Sequence, residues 1–324
     1  MSRPLPQEPE IRAFIEAVEQ FYPADSVDAP IAQQRQWYDA LCAHFDAPLP
    51  ADLAISEDSA PLPGGGVPLR RYRPAQATSA AVIVYFHGGG FVLGGLDSHN
   101  AVCAELADAT GAELVATAYR LAPEHRFPLA LVDGLAALLG ESERPLVVAG
   151  DSAGGNLAAG AAMVLRDAAR DVAAARDLLR AAGWREGAPL PRVIGQALIY
   201  PVLGGDLEAG SYLEMAEAPG LTTRDVRYYL EVFGTPDGDP YGHPLAARDW
   251  TDLPPACITS AFFDPLRDDG RVYAGRLAAA GVDVSYREEP QMVHGWLRAR
   301  HRSPGARDAF AALCRGINTL LDSA

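Results

Sequence analysis

Long apolar runs are missing from this chain, and no stretch approaches the roughly 18 residues that crossing a bilayer requires. Its first residues, MSRPLPQEPEIRAFIEAVEQFY, place acidic side chains and early prolines where a secretory peptide carries an unbroken apolar segment. A soluble, cytoplasmic protein with no stable membrane insertion is therefore expected. Positive charge is also scarce: Lys plus Arg total 27 against 42 Asp plus Glu, a formal net charge of −15. Such a balance opposes attraction to phosphate backbones and anionic lipid, so nucleic acid is not an expected partner. Cysteine is sparse as well. Cys42, Cys103, Cys257 and Cys314 lie far apart, with no CxxC pair and no Cys/His cluster at zinc-ligand spacing. Buried free thiols are expected, and no metal site.

What is present has a globular composition, 49% apolar and 21% charged over 324 residues, long enough for a large core and a roofed pocket. Two helical patterns open the chain, over residues 11–21 and 31–45, and a Pro- and Gly-rich stretch at 48–66 separates them from the rest. Strand candidates then alternate with helices: VPLRRYRP, AAVIVYF, AELVATAY, RPLVVAG, IGQALIY, ACITSAFF and VDVSYRE. Helical stretches fall near 100–109, 129–139, 152–170 and 270–280. Continuous apolar strands between helices predict an α/β fold, a mostly parallel central sheet flanked by helices. In such folds chemistry gathers where strands end.

One block breaks the alternation. Residues 204–244 contain LTTRDVRYYLEVFG, a helix with Thr222 and Asp225 as a capping-box pair and Gly234 as its stop. It is expected to join the N-terminal helices, residues 1–50, as a helical cap over a catalytic domain spanning 51–324. Tyr228, Tyr229 and Phe233 are expected to fill the core of that cap.

The stretch LVVAGDSAGGN offers a GxSxG: Gly150, Asp151, Ser152, Ala153, Gly154. A serine at the tip of a sharp strand-to-helix turn needs glycine two positions either side, because larger side chains would collide. Phosphate readings fail on the same letters. No Gly-Lys-Ser/Thr follows, as a P-loop requires, and Ser152 stands where a dinucleotide fingerprint needs its second glycine. The second glycine cluster, YFHGGGFVLGG, misses that fingerprint by one residue, since Leu93 stands where a glycine is needed. It supplies instead closely spaced amides at a strand end, suited to holding an oxyanion.

A serine nucleophile needs a base and an acid that orients it. Of the seven histidines, His294 in EEPQMVHGWL falls in a loop after the last strand, where it would reach the strand-end face. His87 is expected to anchor the glycine loop. Asp264 closes an apolar strand, whereas Asp268 and Asp269 come where a helix begins and are expected to cap it. Chain order Ser152, Asp264, His294 is that of α/β-hydrolases. Asp151 has no evident role in the sequence.

Taken together, HGGGF, YRLAPEHRFP, GDSAGGN, DPLRDDG and VHGW resemble the successive signatures of the hormone-sensitive-lipase-like esterases, bacterial family IV of the α/β-hydrolases. The resemblance runs from about residue 68 to about residue 317, and the N-terminal helices match only in type. It implies an α/β-hydrolase fold and a serine carboxylesterase for short to medium acyl-chain esters, working through a covalent acyl-enzyme without metal or organic cofactor. Ser152 would be the nucleophile, His294 the base and Asp264 its orienting acid. Gly89, Gly90 and Ala153 would supply the oxyanion amides, with Gly88 supporting the loop of that oxyanion hole. The partner would be a small-molecule ester; a homodimer stays open. Another acyl bond (amide, peptide, carbonate or lactone) and a non-catalytic ligand-binding role are the alternatives, the latter disfavoured by the presence of His294.

Three features stand apart. Trp296 replaces the family's usual phenylalanine and is expected to reshape the pocket near the base. Residues 166–191 form a link longer than usual, whose alanines and leucines predict an extended amphipathic helix, either a solvated extension or a partner surface or pocket wall. The basic run RARHRS, residues 298–303, reads as a solvated helix face.

Overall fold

A computed structural model describes residues 5–23 and 25–323 of the chain. Its centre is an eight-stranded sheet: β1 (Leu53–Leu62), β2 (Gly65–Pro74), β3 (Val82–Phe86), β4 (Glu113–Thr117), β5 (Leu146–Asp151), β6 (Val193–Ile199), β7 (Ala256–Phe263) and β8 (Val284–Val293). The spatial order is β1-β2-β4-β3-β5-β6-β7-β8. β1 pairs antiparallel with β2, and β2 with β4; every later pairing is parallel.

Around it, in chain order, run α1 (Pro9–Phe21), α2 (Ile31–His44), α3 (Asn100–Thr110), α4 (Leu129–Gly140), α5 (Ala153–Arg170), α6 (Arg176–Ala181), α7 (Ser211–Glu214), α8 (Thr223–Phe233), α9 (Arg267–Ala279) and α10 (Pro304–Leu321). The strand pleat sorts the core into two layers. Val82, Val84 and Phe86 of β3, with Leu146 and Val148 of β5, face one layer shared with α4, α5 and α9. Ile83, Tyr85, Val147 and Ala149 face the other, shared with α3 and α10. Every residue of β3 and β5 is buried, which is why these strands read as unbroken apolar runs rather than alternating ones.

The structure corrects three sequence expectations. Residues 48–66 hold a strand, β1, rather than punctuation alone. It is an edge strand with mostly exposed side chains, and only Ala60 is buried, so it shows none of the apolar alternation by which strands are recognised. A ten-residue antiparallel ladder holds it to β2, with ion pairs from Glu57 to Arg70 and Asp58 to Arg71 added across it. The last strand runs beyond Glu288 through Val293, and His294 stands in the turn that follows it, as expected. Residues 166–191 do not form one long helix. α5 ends at Arg170, Asp171 accepts a hydrogen bond from the Ala173 amide to start a short 3-10 turn, and α6 then packs against α4 with Leu179 fully buried. None of this segment lines the principal cavity, so it is not a pocket wall.

α8 forms as its caps dictate: Thr222 and Asp225 complete a reciprocal capping box, and Gly234 ends the helix with φ 74°. Among the described residues no helix is long and apolar enough to cross a membrane, and all four cysteines are buried free thiols.

Candidate active site

Four parallel strands end along one edge of the sheet, and each delivers one part of a constellation. β3 runs into His87–Phe91, β5 into Ser152, β7 into Asp264 and β8 into His294. Ser152 has φ 56° and ψ −118°, a conformation that costs a non-glycine residue about 1–3 kcal/mol. Its neighbours enforce it: a Cβ at Gly150 would strike Gly154, and one at Gly154 would strike the Phe86 carbonyl. The Ser152 amide donates to Ile199 O at 2.9 Å, which ties the turn to β6. Asn156, fully buried on the next helical turn, donates from Nδ2 to Val202 O and Gly242 O, both at 2.9 Å.

His294 Nε2 lies 3.0 Å from Ser152 Oγ, and its Nδ1 lies 2.7 Å from Asp264 Oδ2. Asp264 is wholly buried, and its other oxygen accepts the Leu266 amide at 2.8 Å, which fixes the carboxylate's orientation. The three side chains foreseen from sequence are thus in one hydrogen-bonded line, with a proton path from hydroxyl to imidazole and a buried acid that orients the imidazole. Asp268 and Asp269 depart from expectation: they start α9 but bond across to the 203–212 segment. Asp268 accepts from the Ser211 amide, and Asp269 accepts from the Leu203 and Gly205 amides and the Tyr212 hydroxyl. Burial pushes the Asp269 carboxyl up to about 7.

The glycine loop is held open from below. Gly89, Gly90 and Phe91 have φ of 126°, 60° and 65°. Such a run of positive φ angles is accessible at low cost only where glycine dominates. His87 Nδ1 meets Gly88 O at 2.8 Å, and Tyr119 stacks on the His87 ring while donating to His87 O at 2.6 Å. Burial pushes His87 down to about 3, so it anchors the loop as a neutral ring. The Gly88 amide is committed to Asp151 Oδ1 at 2.8 Å. Among the described residues, no acceptor takes the amides of Gly89, Gly90 or Ala153, so these are the donors left for a ligand oxygen.

That bond gives Asp151 its place. Its carboxylate also accepts from Tyr85 OH at 2.8 Å and sits 3.3 Å from His99 Nε2, with Tyr200 OH at 3.4 Å. Burial works against the charge, but the surrounding donors, His99 foremost, hold Asp151 well below the usual carboxylate range. It couples the serine turn on β5 to the glycine loop on β3. His99 is pushed down by burial and joins the same network; sequence offered no signal for it, because it sits at an ordinary helix start.

Above the constellation opens a cavity with mainly apolar walls. Gly89, Gly90, Ser152 and His294 form its floor; Phe14, Ile15, Val18, Tyr22, Tyr38 and Leu41 of the N-terminal segment and Val226, Tyr229 and Leu230 of α8 form its upper walls. Tyr22 and Tyr229 join the two sides through a hydroxyl–hydroxyl bond of 2.7 Å. Tyr229 therefore lines the cavity, its ring where a Gly90 Cβ would go, while Phe233 is core, stacked on Phe91 at 3.8 Å.

Two more expectations change here. Trp296 is fully buried, edge-on to the Tyr200 ring that packs against His294, and does not line the cavity, so it does not shape the pocket. The run at 298–303 is solvated only in part, at the exposed His301 and Arg302. Arg300 is buried against Glu105, Ser303 is buried as the cap of α10, and Arg298 reaches the cavity wall.

The open, mostly parallel sheet, the strained serine at a strand end and the residues grouped there define the class of α/β-hydrolases. The family model for the alpha/beta hydrolase fold matches residues 83–298. Carboxylesterase NlhH of Mycobacterium tuberculosis is 34% identical over 345 aligned positions, covering 98% of this chain and 100% of that protein. An ethyl acetate hydrolase of Pseudomonas putida is 34% identical over 250 positions, 72% of this chain and 73% of its own. Among solved structures, a thermostable esterase from Pseudomonas putida ECU1011 superposes with a TM-score of 0.84 at 28% identity, covering 99% of each chain. The chain belongs to the hormone-sensitive-lipase-like esterases of the α/β-hydrolase family.

Proposed function

We propose that this protein is a serine carboxylesterase that cleaves short to medium acyl-chain esters through a covalent acyl-enzyme. The observation that carries the reading is the unbroken line Ser152 Oγ, His294, Asp264 at the floor of a mainly apolar cavity. The esterase names of its relatives support the choice of an ester bond.

In the first half-reaction His294 Nε2 takes the Ser152 proton as Oγ bonds to the ester carbonyl carbon. The carbonyl oxygen gains a negative charge, which the Gly89, Gly90 and Ala153 amides receive. One such donor is worth about 2.7–4 kcal/mol of transition-state stabilisation. Collapse of this intermediate breaks the bond to the alcohol oxygen, which leaves with the proton from His294. A water then gives its proton to His294 and attacks the acyl carbon, and the acid departs as Ser152 recovers its proton. Asp264 keeps the imidazole in the Nδ1–H tautomer throughout and stabilises the imidazolium when it forms. Asp151, by holding Gly88, keeps the donor amides in register with the serine. α1, α2 and the 204–244 segment form a cap over a catalytic body spanning 51–324, and their apolar side chains select the acyl chain by fit.

The test is a p-nitrophenyl ester series of increasing chain length, run on wild type and Ser152→Ala. Activity is expected on the shorter esters, declining once the chain outgrows the cavity, and absent from the variant. A Ser152→Ala protein as active as wild type would overturn the mechanism.

A further inference from the structure

The cavity wall holds a cation whose partners are all neutral. Arg298 lies on the short turn after His294 (Trp296–Ala299) and donates to Ser98 O at 3.1 Å and to Tyr38 OH at 2.8 Å. Among the described residues it makes no ion pair within 4.0 Å, unlike the other enclosed arginines. Arg71 meets Asp58, Glu113 and Glu141; Arg300 meets Glu105; Arg267 meets Glu214; Arg166 meets Asp167. Enclosing a guanidinium with no carboxylate in contact is costly, and five N–H donors exceed two acceptors. Tyr38 packs its ring against the guanidinium, and the cavity that Arg298 reaches is lined mainly by apolar side chains, a setting in which a polar group fixes a ligand's orientation. The nearby Asp151 carboxylate is already occupied by Tyr85, Gly88 and His99.

We propose that Arg298 forms a subsite for an acceptor oxygen, in a carboxylate or carbonyl group, carried on the substrate at a distance from the ester being cleaved. The inference rests on the esterase reading and narrows its substrate class, from plain alkyl esters to esters bearing a second oxygenated group. Arg298 acts as a specificity-determining residue, with the planar fork of its guanidinium matched to such oxygens.

The test compares kcat/KM within two sets of length-matched esters. On the acyl side these are the p-nitrophenyl monoester of adipic acid, its methyl ester and a plain alkanoate. On the alcohol side they are acetate esters of 6-hydroxyhexanoic acid, of its methyl ester and of a plain alkanol. In at least one set the oxygenated ester is expected to exceed the alkyl ester by about tenfold or more, and the ratio to fall by about tenfold in Arg298→Met. Whether the free acid or the methyl ester leads tells a carboxylate from a carbonyl. A structural role alone would lower both substrates together and leave the ratio unmoved. Wild type that favours the alkyl ester in both sets overturns the subsite even if Arg298→Met does not fold, and so does an unchanged ratio in Arg298→Met or Arg298→Lys. Wild type that cleaves none of the esters overturns the esterase reading instead.

Discussion

The floor and the roof of the cavity are built by different means. On the floor, backbone sterics decide: Ser152 and the Gly89–Phe91 turn adopt positive φ, and glycines at 150 and 154 are packed against backbone with no room for a methyl group. In the roof, side chains decide. α1, α2 and α8 meet through apolar contacts and single hydrogen bonds such as Tyr22 to Tyr229. A floor of this kind tolerates almost no substitution and aims its groups to within fractions of an ångström. A roof of side chains can change shape by substitution while the chemistry beneath stays fixed.

That contrast yields a graded set of outcomes. Replacing the floor's acid, Asp264→Asn, is expected to lower kcat by about 10⁴ through loss of the correct imidazole tautomer, as steady-state kinetics on a short ester would show. A drop of tenfold or less would place the orienting role elsewhere. Gly154→Ala is expected to cost about 4 kcal/mol or more of stability, read by denaturant unfolding, because the colliding atom is backbone and cannot move aside. Asp151→Asn, which weakens the charge-assisted bond to the Gly88 amide, is expected to cost about 2 kcal/mol and to lower kcat more than it raises KM.

At the seam between floor and roof, Asp269 supplies a pH dependence. Its carboxyl is raised by burial from 3.8 to about 7, so the folded chain holds a proton that the unfolded chain has released across that interval. The stability it contributes is present below about pH 4 and is lost as pH rises through 7. Tm of the wild type should therefore fall more steeply between these values than Tm of Asp269→Asn; equal slopes would remove Asp269 from the titration. The smallest effect belongs to the roof: Tyr22→Phe is expected to cost about 1 kcal/mol and to leave kcat on a short ester within about twofold.

The same division governs what the sequence reveals. Steric constraints leave letters behind. Gly150, Gly154 and the 88–90 triplet have no substitutes, and the fully buried strands that end in them read as apolar runs, so the sheet and the Ser152, Asp264 and His294 constellation were legible. Constraints met by long-range partners leave none. β1 is exposed and held by its backbone ladder with β2, so no periodicity marks it. Asp269 sits where a helix cap would sit, and only the folded chain brings Leu203 and Tyr212 to it. Arg298 lies in a basic run like any solvated one until the turn after His294 brings it to Tyr38. Asp151 lay inside the most conspicuous motif and still gave no sign of its role, because the donors that explain it, Tyr85, Gly88 and His99, come from other elements.

The proposed covalent mechanism is tested most directly by reacting the folded protein with a fluorophosphonate probe and locating the adduct by intact-mass and peptide mass spectrometry. One equivalent on Ser152, with parallel loss of ester hydrolysis and no adduct in Ser152→Ala, is the expected result. Full hydrolytic activity in protein left unlabelled at Ser152 after exposure to the probe, or labelled on another residue, would contradict it.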